Sequence, residues 1–241
     1  MLMARTGLNF WFHGGGYACM WSFGVAHAIK QTSLAVNYIG GASAGALISI
    51  FLANPNNTTA KARRSVWEAP YSPANGRFKV LGHHERNLDY MAAACLGSPL
   101  DFDPEVYNEK VWIPLRGLTS LSGTWRSRYR SYEDLLECVV ATGCIPGVSG
   151  KLSRCYLDDY GDRRGPNIDG GFFSYGKPKF WAPASTIVVS PWGSGDLNMD
   201  PKPSWTDVAC PAIEDLDRFF DLGYQQGQKF LASLPASRFA R

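Results

Sequence analysis

The sequence predicts an α/β protein with a mostly parallel sheet covered by helices. Three observations carry that expectation. Strand-like apolar runs alternate with helix-patterned segments through the first third of the chain. The first two strand-like runs end in glycine-rich turns that lead straight into helices. The length of 241 residues, with 45% hydrophobic and 19% charged residues, supplies apolar mass for one large core, and a second independent core would be cramped. A single domain spanning residues 1–241 is therefore expected, with no internal repeat, low-complexity tract or linker.

Taken in order, Leu8 to Phe12 is a short aromatic run suited to a buried strand, and it ends in Gly14-Gly15-Gly16. Tyr17 to Lys30 carries Ala18, Trp21, Val25, Ala28 and Ile29 on one broad helical face. Val36 to Ile39 reads as a second strand, Gly40-Gly41 as a turn, and Ala44 to Ala53 as a buried helix closed by Pro55. Thr58 to Ala69 is expected to be an amphipathic helix with Lys61, Arg63 and Arg64 on its polar side. Pro70 to Gly76 reads as a loop, and His83-His84 as part of a solvated loop. Asn87 to Leu96 is expected to be helical, Lys110 to Leu115 a strand, and the stretch from there to Arg130 a Gly/Ser-rich hairpin. Ser131, with Asp134 three residues on and Leu135, Leu136, Val139 and Val140 following, predicts a capped helix ended by Gly143 and Pro146. Arg154 to Leu157 is a short strand, Asp158 to Asn167 a charged loop, Thr186 to Val189 a buried strand, and Ala212 to Leu231 a closing helix.

Composition removes several function classes. The 24 Lys+Arg against 21 Asp+Glu leave a formal charge of +3, too small and too scattered for a nucleic-acid partner. The same small excess is compatible with mild attraction to an anionic membrane surface. The six cysteines, at 19, 95, 138, 144, 155 and 210, form no CxxC pair and are accompanied by only four histidines, which disfavours a zinc site. Buried free thiols are the expected state. No apolar stretch is long enough to span a bilayer without glycine, and the first residues show no secretory pattern. A cytoplasmic chain, peripheral to a membrane or lipid droplet, is the expectation.

The chemistry concentrates in three motifs. Gly41-Ala42-Ser43-Ala44-Gly45 is a GxSxG match placed between a strand and a helix, where a nucleophile elbow belongs. The serine needs a strained turn, and a side chain at Gly41 or Gly45 would meet neighbouring backbone. A helix starting at Ala44 aims its N–H groups at the serine, where negative charge develops in acyl transfer. From this motif alone, a packing turn explains the glycines equally well. Gly14, Gly15 and Gly16 precede a helix and offer bare amides for an anion. A dinucleotide fingerprint needs a glycine at position 19 and an acidic residue ~20 residues further on. Position 19 is Cys, and the first acidic residue of the chain is Glu68. An oxyanion loop is favoured, with a structural turn as the alternative.

Histidine does not supply the base in a familiar order, because His13, His27, His83 and His84 all lie in the first third of the chain. That moves the base onto a carboxylate, and Asp169, followed by Gly170-Gly171, is the best placed. A free aspartate with pKa about 4 is a weak base, and burial beside an apolar ester would strengthen it. A histidine-dependent esterase using His13 or His27 remains a rival reading.

The three motifs in this order resemble those of the patatin-like phospholipase family. The finer match is to the branch containing adipose triglyceride lipase and adiponutrin. It rests on Gly41 to Leu47, Cys144-Ile145-Pro146-Gly147, Thr186 to Pro191, and Gly223-Tyr224 with Gly227 and Phe230-Leu231. The resemblance runs from about Leu8 to Leu231 and is weakest between Pro70 and Ser122. It implies a three-layer α/β/α sandwich and a serine–aspartate dyad of Ser43 and Asp169. It also implies an oxyanion hole from the Gly14 to Gly16 amides, and no metal or cofactor. The chain departs from the family pattern at Cys19, where another glycine is usual, and at Ala18, where many members carry a basic residue. A lipid-surface binding protein that has lost turnover is the alternative this departure suggests. The expected partner is a lipid ester, triacylglycerol or phospholipid, met at a membrane or lipid-droplet surface. Phe172-Phe173-Ser174-Tyr175 is the stretch expected to line an acyl channel.

Overall fold

The structure is a computed structural model, and it describes residues 7–117, 123–145, 149, 154–157, 163–170, 177, 179 and 181–235. Eight strands form its sheet: β1 (Leu8–Phe12), β2 (Val36–Gly41), β3 (Val111–Gly117), β4 (Gly123–Arg126), β5 (Arg154–Leu157), β6 (Arg163–Ile168), β7 (Thr186–Ser190) and β8 (Leu197–Asn198). The helices are α1 (Cys19–Lys30), α2 (Ala44–Ala53), α3 (Thr59–Glu68), α4 (His84–Leu96), α5 (Tyr132–Thr142), α6 (Trp205–Ala209) and α7 (Ile213–Ser233).

The sheet order is β5-β6-β3-β2-β1-β7-β8, with β4 also paired to β3. The run β3-β2-β1-β7-β8 is parallel throughout, while β4, β5 and β6 join antiparallel at the β3 side. Helices cover both faces, as a parallel sheet requires, giving the three-layer α/β/α arrangement expected from the sequence. β1 lies between β2 and β7, and all five of its residues are buried. Its Phe10 and Phe12 join the core with Phe23 of α1 and Phe51 of α2, while Trp11 packs on the other face against Trp125 and Trp181.

Helix α1 is buried along almost its whole length, because α2 and α7 both pack on it. The α1–α7 crossing is backbone against backbone. A Cβ added to Gly223 would stand 1.9 Å from the Trp21 carbonyl oxygen, and one added to Gly24 would stand 2.1 Å from that of Phe220. Trp21 Nε1 donates to Gln226 Oε1 at 2.7 Å, and Tyr224 Oη to Gln31 Oε1 at 2.6 Å, which fixes the register of the crossing. At the other end of α1 the Lys30 ammonium donates to the carbonyls of Phe51, Asn54 and Asn57, satisfying orphan carbonyls at the end of α2.

Several local expectations are met. Ser131 caps α5 by accepting the Asp134 N–H, and Thr58 caps α3 by accepting that of Lys61. Five cysteines, at 19, 95, 138, 144 and 210, are buried free thiols. Others are corrected. Gly40-Gly41 is the end of β2 rather than a turn, because both residues are needed to pair with β1. Residues 163–168 form β6, not a loop, held by pairing to β3 and β5. His84 is the first residue of α4 rather than a loop residue. The basic face of α3 is partly consumed: Arg63 pairs with Asp217 and lies 4.5 Å over the Phe220 ring. Among the described residues, no helix is long and apolar enough to cross a membrane.

Candidate active site

The parallel strands set the site. In open α/β sheets, ligands bind at the carboxyl ends of the strands. β1 ends at Phe12 and delivers Gly14 to Gly16, β2 ends at Gly41 and delivers Ser43, and β7 ends at Ser190 and delivers Trp192.

Ser43 sits between β2 and α2 with φ 54 and ψ −130, one of two non-glycine residues at positive φ among those described. A side chain in this region costs about 1–3 kcal/mol and persists only where the surroundings enforce it. Here they do. A Cβ on Gly45 would be 2.1 Å from the Phe12 carbonyl oxygen, and one on Gly41 would be 2.4 Å from the Gly45 carbonyl. The two motif glycines thus let β1, β2 and the start of α2 close on one another, and the turn is left half-buried with Ser43 at its apex. The glycine loop touches this apex directly: a Cβ on Gly14 would lie 2.8 Å from Ser43 Cβ and 3.5 Å from its Oγ. Gly16 has φ +49, and a side chain there would strike the Val208 carbonyl of α6 at 2.4 Å. Among the described residues, the amides of Gly14, Gly15 and Gly16 donate to no protein acceptor. The loop is held instead by its carbonyls. Trp192 Nε1 donates to the Gly14 oxygen at 2.6 Å, and Ala18 N to the Gly15 oxygen at 2.9 Å.

Asp169 follows β6 and is 4% exposed. Gly40 pairs with Trp112 and Ile168 with Arg116, so the strands that lead to Ser43 and to Asp169 flank the same strand, β3. Thr142, the last residue of α5 and fully buried, borders both. Its Oγ1 accepts the Ser43 N–H at 3.3 Å and donates to the Pro114 carbonyl at 2.7 Å. Its own carbonyl accepts the Gly170 N–H at 2.9 Å, while the Asp169 N–H goes to the Cys144 carbonyl at 2.8 Å. The motif reading did not find Thr142; its position beside Gly143-Cys144 was the signal available.

A cavity of about 50 Å³ opens beside Ser43, lined among others by Gly16, Tyr17, Cys19, His84, Met91 and Ile145. Cys19 is buried in this wall, and burial pushes its thiol up to about 12, so it stays protonated. His84, expected in solvent, contributes to the lining, and burial pushes its imidazole down to about 4. His83 stacks on Tyr71 with ring centroids 3.8 Å apart. His13 follows β1; its Nδ1 meets Ser194 Oγ at 3.4 Å, and burial lowers its pKa. His27 is bound to Thr59 and Gln31, away from this cavity. Gly171, Pro146, Gly147 and the Phe172 to Tyr175 stretch lie outside the described residues. Among the described residues, no group of three or more His, Cys, Asp or Glu side chains could hold a metal ion.

The family model described as patatin-like phospholipase matches residues 11–175, more than half of the chain. No curated protein matches. Among solved structures, VipD from Legionella pneumophila superposes with a TM-score of 0.49 at 11% identity, over 95% of this chain and 67% of that one. The family match spans the glycine loop, the serine elbow and Asp169 together, and the chain belongs to the patatin-like phospholipase family, which supports lipid acyl hydrolase activity in general terms.

Proposed function

We propose that the chain hydrolyses lipid acyl esters with Ser43 as nucleophile and Asp169 as general base. The observation that carries this reading is the apex serine, held at positive φ against a glycine loop whose amides have no acceptor among the described residues. Asp169 takes the hydroxyl proton as Ser43 Oγ attacks the ester carbonyl. The carbonyl oxygen becomes an oxyanion and accepts hydrogen bonds from the loop amides, each worth roughly 3 kcal/mol in the transition state. The C–O bond to the alcohol breaks, and Asp169 returns the proton to the leaving oxygen. Water, deprotonated by Asp169, then attacks the acyl-enzyme, and the fatty acid leaves as Ser43 recovers its proton. Residues 1–241 act as one domain in this reading.

The finer substrate assignment follows the motif resemblance. Cys144-Ile145 and the Gly223-Tyr224 to Leu231 pattern lean toward the adipose triglyceride lipase and adiponutrin branch, hence toward neutral glycerides. Contact with a lipid surface is supported by a rim around the glycine loop. Trp205 on α6 and Phe78 are each 70% exposed, and Leu81 and Trp192 are also exposed. These residues belong together. Val208 of α6 abuts Gly16, Arg77 Nε donates to the Cys210 carbonyl that ends α6, and Trp192 bonds Gly14. Arg77, Lys79 and Lys202 add positive charge to the aromatic rim, the composition of an interfacial anchor. This face is the one assigned to the lipid.

Ser43→Ala and Asp169→Asn should each lower turnover of triolein or phosphatidylcholine in mixed micelles by about 10⁴-fold or more. A fluorophosphonate should label wild type at Ser43 and leave Ser43→Ala unlabelled. Wild-type protein that takes no label and cleaves neither lipid would favour the binding-only alternative.

A further inference from the structure

The amides proposed to hold the oxyanion lie in a stretch with no side chains of its own. A peptide between two glycines is the freest to rotate, because no Cβ on either side resists the change. The Gly14–Gly15 and Gly15–Gly16 peptides are both of this kind. The C=O and N–H of one trans peptide point in opposite directions, so such a plane aims its amide only where something fixes its carbonyl. Both carbonyls are fixed. The Gly15 oxygen accepts the Ala18 N–H at 2.9 Å, a backbone bond within the same turn. The Gly14 oxygen accepts from a side chain 178 positions away, the indole of Trp192, whose Nε1 stands at 2.6 Å.

The flanks of β1 give that bond a direction. β1 lies between β2 and β7; Ser43 follows β2 and Trp192 follows β7. The Gly14 carbonyl is drawn to Trp192, so the Gly15 N–H of the same peptide is turned away from it. Gly14 borders the serine on the other flank, where an added Cβ would lie 3.5 Å from Ser43 Oγ. A carbonyl that accepts a hydrogen bond also polarises its peptide, which makes the N–H a better donor. Trp192 is itself braced. Its backbone N–H donates to Ser190 Oγ at 3.2 Å, and that hydroxyl stands 3.0 Å from Ser194 Oγ. Pro191 packs on the same loop, 2.7 Å from where a Cβ on Gly15 would be.

We propose that Trp192 is a positioning residue for ester hydrolysis: its indole N–H pins the Gly14–Gly15 peptide so that the Gly15 N–H faces the oxyanion forming at Ser43. This rests on the hydrolase reading and adds to it a side chain that acts through the loop. The ring is 38% exposed on the aromatic rim, so one side chain carries two separable properties. The benzene ring meets the lipid surface, and the N–H holds the loop.

Two substitutions separate them. Trp192→Phe keeps an aromatic ring and loses the N–H. Trp192→His loses the benzene ring and keeps an N–H, because Nε2 of an imidazole takes the place of Nε1 in the indole's five-membered ring. Turnover is measured in mixed micelles on whichever of triolein and phosphatidylcholine wild type cleaves faster. In Trp192→Phe, kcat should fall about tenfold. KM should stay within about twofold, because the oxyanion exists only in the transition state. Trp192→His should recover part of kcat, and fluorophosphonate labelling of Ser43 should follow the same order. Liposome flotation should run the other way, with Trp192→Phe near wild type and Trp192→His weakened. A histidine variant no faster than the phenylalanine one is what packing alone predicts, and it overturns the proposal. A second measurement needs no substrate. The indole proton of Trp192, identified by its loss in Trp192→Phe, should exchange with solvent about tenfold or more slower than that of Trp205, which is 70% exposed. Equal exchange overturns the proposal whatever the kinetics. Equal kcat in wild type and Trp192→Phe overturns it too, and leaves the hydrolase reading intact. A wild type that cleaves neither lipid and takes no label, with a slowly exchanging Trp192 proton, removes the hydrolase reading and the catalytic role with it.

Discussion

Replacing Thr142 by valine removes one hydroxyl and keeps the volume, so it isolates the joint between the serine elbow and the Asp169 turn. Two hydrogen bonds go with that hydroxyl: the 3.3 Å bond from the Ser43 N–H and the 2.7 Å bond to the Pro114 carbonyl. Both partners are left without it in a fully buried place. The bond to Pro114 is short and its loss costs about 1–2 kcal/mol; the longer bond from Ser43 adds about 0.5–1 kcal/mol. A total near 2 kcal/mol lowers Tm by about 4–8 °C in a chain of this size. The functional effect is separate. The Ser43 N–H is one of the few restraints on a residue held at φ 54, and freeing it lets the apex relax away from the glycine loop. The rate of fluorophosphonate labelling at Ser43, measured well below Tm, should fall by about tenfold, since 1.4 kcal/mol of lost positioning is a factor of 10. Thr142→Ser keeps the oxygen and should restore the labelling rate even where it loses some stability to the missing methyl. A valine variant that melts with wild type and labels at the wild-type rate refutes the idea that this hydroxyl holds the elbow.

Gly45→Ala should be among the most damaging single-atom changes, because its Cβ would meet backbone at Phe12 rather than a movable side chain; a loss of about 3 kcal/mol or more should appear in urea unfolding. Asp134→Asn takes the balancing carboxylate from the Arg126 guanidinium, which is 3% exposed at side-chain level and paired at 3.0 Å, and it weakens a cap on the Arg130 N–H; a loss of about 3 kcal/mol is expected by the same measurement. Acidification should destabilise the fold between pH about 6.5 and about 4. Across that window the unfolded chain protonates His84, while the folded site, with its pKa lowered to about 4, does not. The fall of Tm with pH should be shallower in His84→Gln, and an unchanged slope would remove His84 as its source. Flotation with liposomes should drop several-fold in the double variant Phe78→Ser with Trp205→Ser, and not in Arg64→Ser, whose exposed side chain lies on α3.

How much of this was legible follows from how far apart the contacting residues lie. The strand, glycine loop, helix, strand, elbow and helix from Leu8 to Ala53 were readable because each step is set by residues a few positions apart: aromatic runs, missing side chains, a helical apolar face. Asp169 was readable as a motif, yet its placement depends on β6, and Arg163-Arg164-Gly165-Pro166-Asn167 has no strand-like alternation. That strand exists because β3 and β5 offer it hydrogen bonds, a tertiary cause that no local pattern records. Thr142 was missed for the same reason: nothing about a threonine at a helix end announces a bond to an amide 99 positions earlier. His84 was assigned to solvent because His83-His84 looked like a polar loop, whereas α4 begins there and carries the second imidazole against Tyr17.

The backbone-to-backbone crossing of α1 and α7 has a consequence for the moment of synthesis. Trp21 and its partner Gln226 are separated by 205 positions. At translation speeds of about 5–20 residues per second, the earlier helix waits on the order of 10–40 s for the later one to emerge. Through that interval Trp21, Gly24, Val25 and Ala28 lack the neighbours that α7 supplies. A nascent chain thus already contains Ser43 while α1 still lacks the cover that α7 gives it.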